Sequence, residues 1–129
     1  MKIFKGLIYY LLLIFLLIYI ITMIINPSKM MDYFKFRTFM VLSESMEPTI
    51  KVNDLIISRE VKENEIEIGD IITFKTYIKE IDSIAFVTHY VGGIKNVDGI
   101  ITYQTHGENV QDGQFDEWTD KDVDIDHIT

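Results

Sequence analysis

An uncharged, strongly apolar run near the N-terminus constrains this chain more than any other feature. Residues 6–25 contain no Asp, Glu, Lys or Arg. Helical residues rise about 1.5 Å each, so a run of this length covers the roughly 30 Å hydrocarbon core of a bilayer. It exceeds the roughly 7- to 15-residue apolar part of a cleaved leader, and no cleavage site of small residues follows it. We therefore predict a retained membrane anchor, residues 1–25, with its transmembrane helix over residues 6–25.

The charges that flank this helix do not fix its orientation. Lys2 and Lys5 precede it, while Lys29, Lys35 and Arg37 follow it. Orientation normally follows an excess of Lys and Arg on the cytosolic side, and here both sides carry some.

The rest of the chain has the size of one domain. After a juxtamembrane segment, residues 26–40, residues 41–129 are enough for a single hydrophobic core. They contain 19 acidic and 7 basic residues, whereas a nucleic-acid surface needs Lys and Arg to offset phosphate charge. The sequence has no cysteine, which excludes disulfides and Cys-based zinc sites. We expect one domain and no nucleic-acid partner.

Short runs of β-branched and aromatic residues dominate this domain. They predict strands over residues 53–58, 70–77, 83–91 and 99–105. Asp98-Gly99 is a strong hairpin signal before the last of them. The charged, weakly periodic residues 60–68 indicate a loop or a short helical turn. The fold class we predict is mainly β: a compact antiparallel β-domain carried by one N-terminal transmembrane helix.

Two serines on a stiff segment are the first candidates for chemistry. The stretch "SESMEP" places Ser43 and Ser45 before Pro48, which fixes its own φ and biases Glu47 toward an extended backbone. A serine attacks a carbonyl when a base removes its proton and donors stabilise the oxyanion. One serine could attack while the other donates, although ordinary loop hydroxyls fit the same pattern.

Histidine and lysine both compete for the role of base. His89 lies in the otherwise apolar run "SIAFVTHYV", where a neutral imidazole can accept a proton near neutral pH. A histidine on a strand is also often only a structural hydrogen-bonding residue. Lys75 and Lys79 are the rivals, because a buried amine can act as a base. Neither lies in a comparably apolar run, so the pattern favours His89.

Two groups of carboxylates lie after the last predicted strand, one directly behind it and one in the C-terminal stretch. Glu108, Asp112 and Asp116 lie in "THGENVQDGQFDEW", and any one of them could orient an imidazolium while the others stay in a solvated loop. The acids of the C-terminal stretch would share one face of a strand and could suit calcium; they are Asp122, Asp124 and Asp126. That stretch lacks the glycine and distal glutamate of an EF-hand loop, so we expect a solvated tail, no metal and no cofactor.

Taken in order, four segments resemble type I signal peptidases of the endoplasmic-reticulum type, the branch also found in archaea and some Gram-positive bacteria. The segments are "SESMEP", "IGDIITF", "VTHYV" and "THGENVQDG", within residues 41–118. The resemblance implies Ser45 as nucleophile, His89 in place of the lysine of other bacterial signal peptidases, and Asp112 as the downstream acid. It also implies that the Ser43 hydroxyl joins the backbone N–H of Ser45 in an oxyanion hole.

Two positions depart from the pattern of that branch. Glu108 stands where an aspartate is usual, and Tyr90 stands where an arginine usually follows the histidine. We expect Glu108 to support the loop by accepting backbone N–H bonds. Asp116 is expected to lie on a solvated flank as a secondary acid, with Asp112 as the orienting one.

The resemblance further implies a function and a location. The protein would cleave signal peptides from secreted preproteins after small-x-small sites through an acyl-enzyme. Its other partners would be the lipid bilayer and accessory membrane subunits, and it would cross the cell membrane once, with a cytosolic N-terminus and an extracytosolic domain. The alternatives are an inactive membrane-anchored β-domain that binds a partner, and a relative of self-cleaving repressors that uses a serine-lysine pair.

Overall fold

The computed structural model describes residues 2–111, 113–117 and 124–128 and divides the chain into two units, residues 1–37 and 38–129. Its helices are α1 (Lys2–Ile25) and α2 (Met30–Phe34), with 3-10 turns at Pro27–Lys29, Glu63–Glu65 and Lys79–Ile81. Its strands are β1 (Phe36–Met40), β2 (Leu55–Arg59), β3 (Ile71–Ile78), β4 (Ser83–Val97), β5 (Ile100–His106) and β6 (Asp124–Ile128).

The first unit consists mainly of the apolar helix. Within the described residues, one helix is long and apolar enough to cross a membrane, over Ile3–Ile25. Its side chains are largely exposed, as expected of a segment whose partner is lipid. The following helix, α2, ends at Lys35, whose φ of 60° is left-handed. By length and composition, the helix of this unit is compatible with the predicted membrane anchor.

The second unit is built on one six-stranded sheet in the order β1-β2-β6-β3-β4-β5. The pairs β2–β6, β6–β3, β3–β4 and β4–β5 are antiparallel. All four predicted strands are present, and β4 and β5 meet at the predicted hairpin, where Asp98 and Gly99 both have positive φ. The predicted fold class, an antiparallel β-domain with one long apolar N-terminal helix, is therefore confirmed.

The predicted solvated tail is wrong for residues 124–128. Their backbone forms β6, which lies between β2 and β3 and pairs with both. Two strands that lie side by side without pairing would leave their facing N–H and C=O groups unsatisfied, and β6 supplies the missing partners. Asp122 of the calcium alternative lies outside the described residues.

The hydrophobic core fixes the strand that carries His89. Its buried members are Ile66, Ile72, Phe74 and Val91, with Val61, Val87 and Tyr103 packed against them. Ile72 lies directly opposite His89 in the β3–β4 register. Since side chains alternate along a strand, His89 projects to the same side as Val87 and Val91. Burying one such aliphatic side chain contributes about 1.5–3 kcal/mol, so this face of β4 is firmly held.

Candidate active site

Three side chains distant in sequence form one continuous hydrogen-bonded chain. Ser45 Oγ lies 3.0 Å from His89 Nε2, and His89 Nδ1 lies 2.7 Å from Asp116 Oδ2. If Nδ1 carries the imidazole proton and donates it to the carboxylate, Nε2 is left as an acceptor for the serine hydroxyl. The arrangement can therefore move a proton from the serine to the histidine and hold the resulting imidazolium beside a carboxylate.

The burial of these groups differs in a way that suits this chemistry. His89 is 7% exposed, while Ser45 is exposed. The imidazole is therefore shielded on the core side and open on the side of the serine. A nucleophile must be reachable by substrate, whereas a base and its acid gain from a fixed, partly dry setting.

The turn that carries Ser45 is anchored by its neighbour Met46. The side chain of Met46 is 2% exposed, and its carbonyl accepts a hydrogen bond from the N–H of Ile50 at 2.8 Å. Ser43 Oγ lies 3.2 Å from Ser45 Oγ on the same exposed side. Both serines and the Glu44 between them are thus exposed, while Met46, directly after Ser45, is buried.

The loop after β5 holds the turn of Ser45 from the other side. The N–H of Glu108 donates to the carbonyl oxygen of Ser45 at 2.8 Å, and Asn109 Nδ2 donates to the carbonyl oxygen of Glu47 at 2.9 Å. A Cβ at Gly107 would lie 2.6 Å from the Ser45 carbonyl oxygen, so this approach requires glycine. The sequence pattern did not single out Asn109, although it directly follows Gly107 and Glu108.

The expectation that Asp116 lies on a solvated flank is wrong. Its side chain is only 17% exposed and accepts hydrogen bonds from His89 and from the hydroxyl of Thr105, at 2.7 Å each. Its own N–H donates to the carbonyl oxygen of Thr105 at 2.8 Å. Asp112, which the sequence pattern favoured for this position, lies outside the described residues. The backbone tie to β5 turns Asp116 inward, and local sequence pattern does not reveal such a tie.

A glycine on β4 provides the surface on which the Asp116 segment packs. The β4–β5 register shifts between Val91 and Gly93, which places Gly92 at a bulge. A Cβ at Gly92 would lie 2.6 Å from the ring of Phe115 and 2.5 Å from the ring of His106. The missing side chain therefore lets both rings close onto the strand, with Phe115 immediately before Asp116.

An apolar cleft opens beside the two serines. Its volume is about 260 Å³, and its lining includes Ser43, Ser45 and the segment from Phe39 to Leu42. Apolar side chains make up most of the remaining wall; among them are Ile56, Ile78 and Phe86. Such a cleft can receive a peptide with apolar side chains and present its backbone to Ser45.

A family model described as signal peptidase, peptidase S26, matches residues 7–100, which include Ser45 and His89. The chain belongs to the signal peptidase family. The resemblance to signal peptidases in general is thereby confirmed, while the endoplasmic-reticulum type remains a prediction. No curated protein and no solved structure matches the chain significantly.

Histidine and lysine were the two candidates for the base. The nitrogen that faces Ser45 Oγ is Nε2 of His89. Lys75 lies opposite Phe86 in the β3–β4 register, and Lys79 lies in the exposed turn that follows β3. The geometry therefore favours the histidine over either lysine.

The two departures from the expected motif contact each other. The hydroxyl of Tyr90, the residue after His89, donates to Glu108 Oε2 at 2.8 Å. The carboxylate of Glu108 therefore accepts a side-chain hydrogen bond, whereas we expected it to accept backbone N–H bonds. This bond links the strand of His89 to the loop that holds Ser45.

Proposed function

We propose that this protein is a membrane-anchored serine endopeptidase that removes signal peptides, with Ser45 as nucleophile, His89 as general base and Asp116 as the orienting acid. The observation that carries the proposal is the hydrogen-bonded chain from Ser45 through His89 to Asp116 in a member of the signal peptidase family. Asp116 thereby takes the role that the sequence pattern favoured for Asp112.

Catalysis begins when Ser45 Oγ attacks the carbonyl carbon of the scissile peptide bond. The serine proton passes to Nε2 of His89, and Asp116 stabilises the imidazolium through Nδ1. Nε2 then protonates the leaving amine, the C–N bond breaks and an acyl-enzyme remains. A water molecule, deprotonated by the same nitrogen, attacks the acyl carbon and releases Ser45.

The negative charge that develops on the carbonyl oxygen needs donors that are already in place. We assign this role to the hydroxyl of Ser43 and the backbone N–H of Ser45. Support comes from the 3.2 Å approach of the two serine oxygens and from the hydrogen bond that the Glu47 N–H donates to the Glu44 carbonyl oxygen at 3.0 Å, which holds the Glu44–Ser45 peptide group that carries this N–H. One such donor typically contributes about 10²- to 10³-fold in turnover.

The substrate that best suits the cleft is an extended peptide with small side chains near the cut. Strand β1 lies at the edge of the sheet, and the chain that continues from it lines the cleft. An extended peptide can add to such an edge through backbone hydrogen bonds, while alternate side chains enter the cleft. The bulky wall residues, among them Phe39 and Phe86, would limit those side chains to small ones, as in a small-x-small signal.

The apolar helix α1 supports a location at the cell membrane. Ser45 follows the end of α1 by only 20 residues, so the peptidase domain would be tethered beside the bilayer through which preproteins emerge. We propose a cytosolic N-terminus, an extracytosolic domain, and the endoplasmic-reticulum type of site with its histidine base; accessory membrane subunits would be further partners. External protease should therefore degrade residues 41–129 on intact spheroplasts, and full protection of that domain would contradict this orientation.

Incubation of the detergent-solubilised chain with a preprotein tests the proposal. We expect one cut after a small-x-small site, identified by the mass of the released product, and no cut with Ser45→Ala. Replacing the small residue before the cut by a bulky one should abolish cleavage. Failure of the wild-type chain to cut any such preprotein, or an equal rate with Ser45→Ala, would contradict the proposed function.

A further inference from the structure

We infer that Thr105 is a positioning residue of the active site, whose hydroxyl fixes the carboxylate of Asp116 against His89. The inference rests on the proposed function and adds a fourth side chain to its machinery. Thr105 is the next-to-last residue of β5 and is 3% exposed, so its hydroxyl is available to protein groups and not to substrate.

Two hydrogen bonds between the same two residues carry the inference. Thr105 Oγ1 donates to Asp116 Oδ2 at 2.7 Å, and the N–H of Asp116 donates to the carbonyl oxygen of Thr105 at 2.8 Å. The strand thus holds both the backbone and the carboxylate of Asp116. His89 Nδ1 meets the same oxygen, Oδ2, at 2.7 Å.

The carboxylate needs this second donor because its backbone lies outside regular structure. Residues 113–117 belong to no helix or strand, so no ladder of backbone bonds fixes the direction of the side chain. With one donor, the accepting oxygen can swing around that hydrogen bond and still keep it. Two donors that meet the same oxygen, one of them on a stiff β-branched side chain, restrict the position of that oxygen.

Thr105 acts through Asp116 and therefore affects the chemical step more than substrate binding. It does not line the apolar cleft beside Ser45. Loss of a hydrogen bond to a charged group corresponds to roughly a 10- to 100-fold change in rate when the bond is needed in the transition state. We expect this loss in kcat, with KM nearly unchanged.

The test compares Thr105→Val, which keeps the shape of the side chain and removes the hydroxyl, with Thr105→Ser, which keeps the hydroxyl. In the full detergent-solubilised chain, Thr105→Val should lower kcat by roughly 10- to 100-fold, and Thr105→Ser should restore most of it. The matched control is Thr102→Val, the same exchange on the same strand, which should leave kcat unchanged. In an Asp116→Asn background, Thr105→Val should have much less effect, because the carboxylate it positions is gone.

Two results would overturn the inference. One is full kcat in Thr105→Val; the other is an equal loss in Thr105→Val and Thr105→Ser while thermal unfolding shows both folded. Absence of cleavage by the wild-type chain would instead contradict the proposed function. The inference is then decided by NMR of the imidazole N–H proton of His89, identified by its loss in His89→Ala. That resonance should move in Thr105→Val and not in Thr102→Val, and an unmoved resonance would count against the role of Thr105.

Discussion

The proposed base and the proposed acid contact each other but lie in two different kinds of structure, a strand and an irregular segment. His89 lies within β4, which pairs with β3 on one side and with β5 on the other, and its neighbours on that face join the core. Asp116 lies on an irregular segment, held by its two bonds to Thr105 and by the ring of Phe115 on Gly92.

This difference indicates which part of the site tolerates single substitutions and which part is displaced by them. His89 can be displaced only if the sheet is disrupted. A substitution that does so should lower the stability of the domain. Asp116 depends on a few side-chain contacts, so single substitutions can displace it while the domain stays folded. Substitutions at the contacts of Asp116 should therefore lower activity without loss of stability, and substitutions that displace the core face of β4 should lower both.

Removal of the imidazole should have the largest effect on activity. We expect His89→Ala to lose cleavage almost completely, on the order of 10⁶-fold, because the serine then has no base. Lys75→Ala, on the neighbouring strand, should keep near-normal activity. A folded but inactive Lys75→Ala would instead favour a serine-lysine pair.

Outside the chain of Ser45, His89 and Asp116, the Ser43 hydroxyl should have the largest effect. Ser43→Ala removes one donor to the oxyanion and should lower kcat by roughly 10²- to 10³-fold, with folding unchanged because the side chain is exposed. Ser43→Thr keeps a hydroxyl and should retain more activity than the alanine variant. Equal losses in Ser43→Ala and Ser45→Ala would contradict the separate roles of the two serines.

The contact of Phe115 with Gly92 allows a test of whether the position of Asp116 depends on packing against β4. Gly92→Ala forces the rings of Phe115 and His106 away and should displace Asp116, which lowers kcat by up to roughly 100-fold. Gly93→Ala is the matched control, because the atom nearest to its added Cβ is Oε1 of Gln104, at 2.9 Å, the far end of a flexible side chain. If both variants lose activity equally, the effect belongs to the strand and not to the Asp116 segment.

The Tyr90–Glu108 bond should have the smallest effect. Tyr90→Phe removes one neutral donor and leaves the backbone bond from Glu108 to Ser45, so we expect a loss of a few-fold in kcat. Steady-state kinetics on the purified variant measures it. A loss as large as that of Ser43→Ala would mean that this bond, and not the backbone, holds the nucleophile loop.

Local pattern was enough to predict most of the sheet and to select Ser45 and His89, which the structure places within hydrogen-bonding distance. Ser45 and His89 each lie in a short segment whose local structure can be predicted from its own residues. Asp98-Gly99 likewise predicts its hairpin from two adjacent residues. Strand β6 was missed because its acidic residues outweighed the alternation of "DIDHI". The position of Asp116 was mispredicted because it depends on the bulge at Gly92 and on a bond to Thr105, contacts that form only once the sheet has folded.

Turnover of Asp116→Asn against Asp112→Asn tests the central claim most directly. If Asp116 orients the imidazole, its amide variant should lose up to roughly 10⁴-fold in kcat with little change in KM, because an amide no longer stabilises the imidazolium. Asp112→Asn should stay near the wild-type rate. An active Asp116→Asn beside an inactive, folded Asp112→Asn would contradict the assignment.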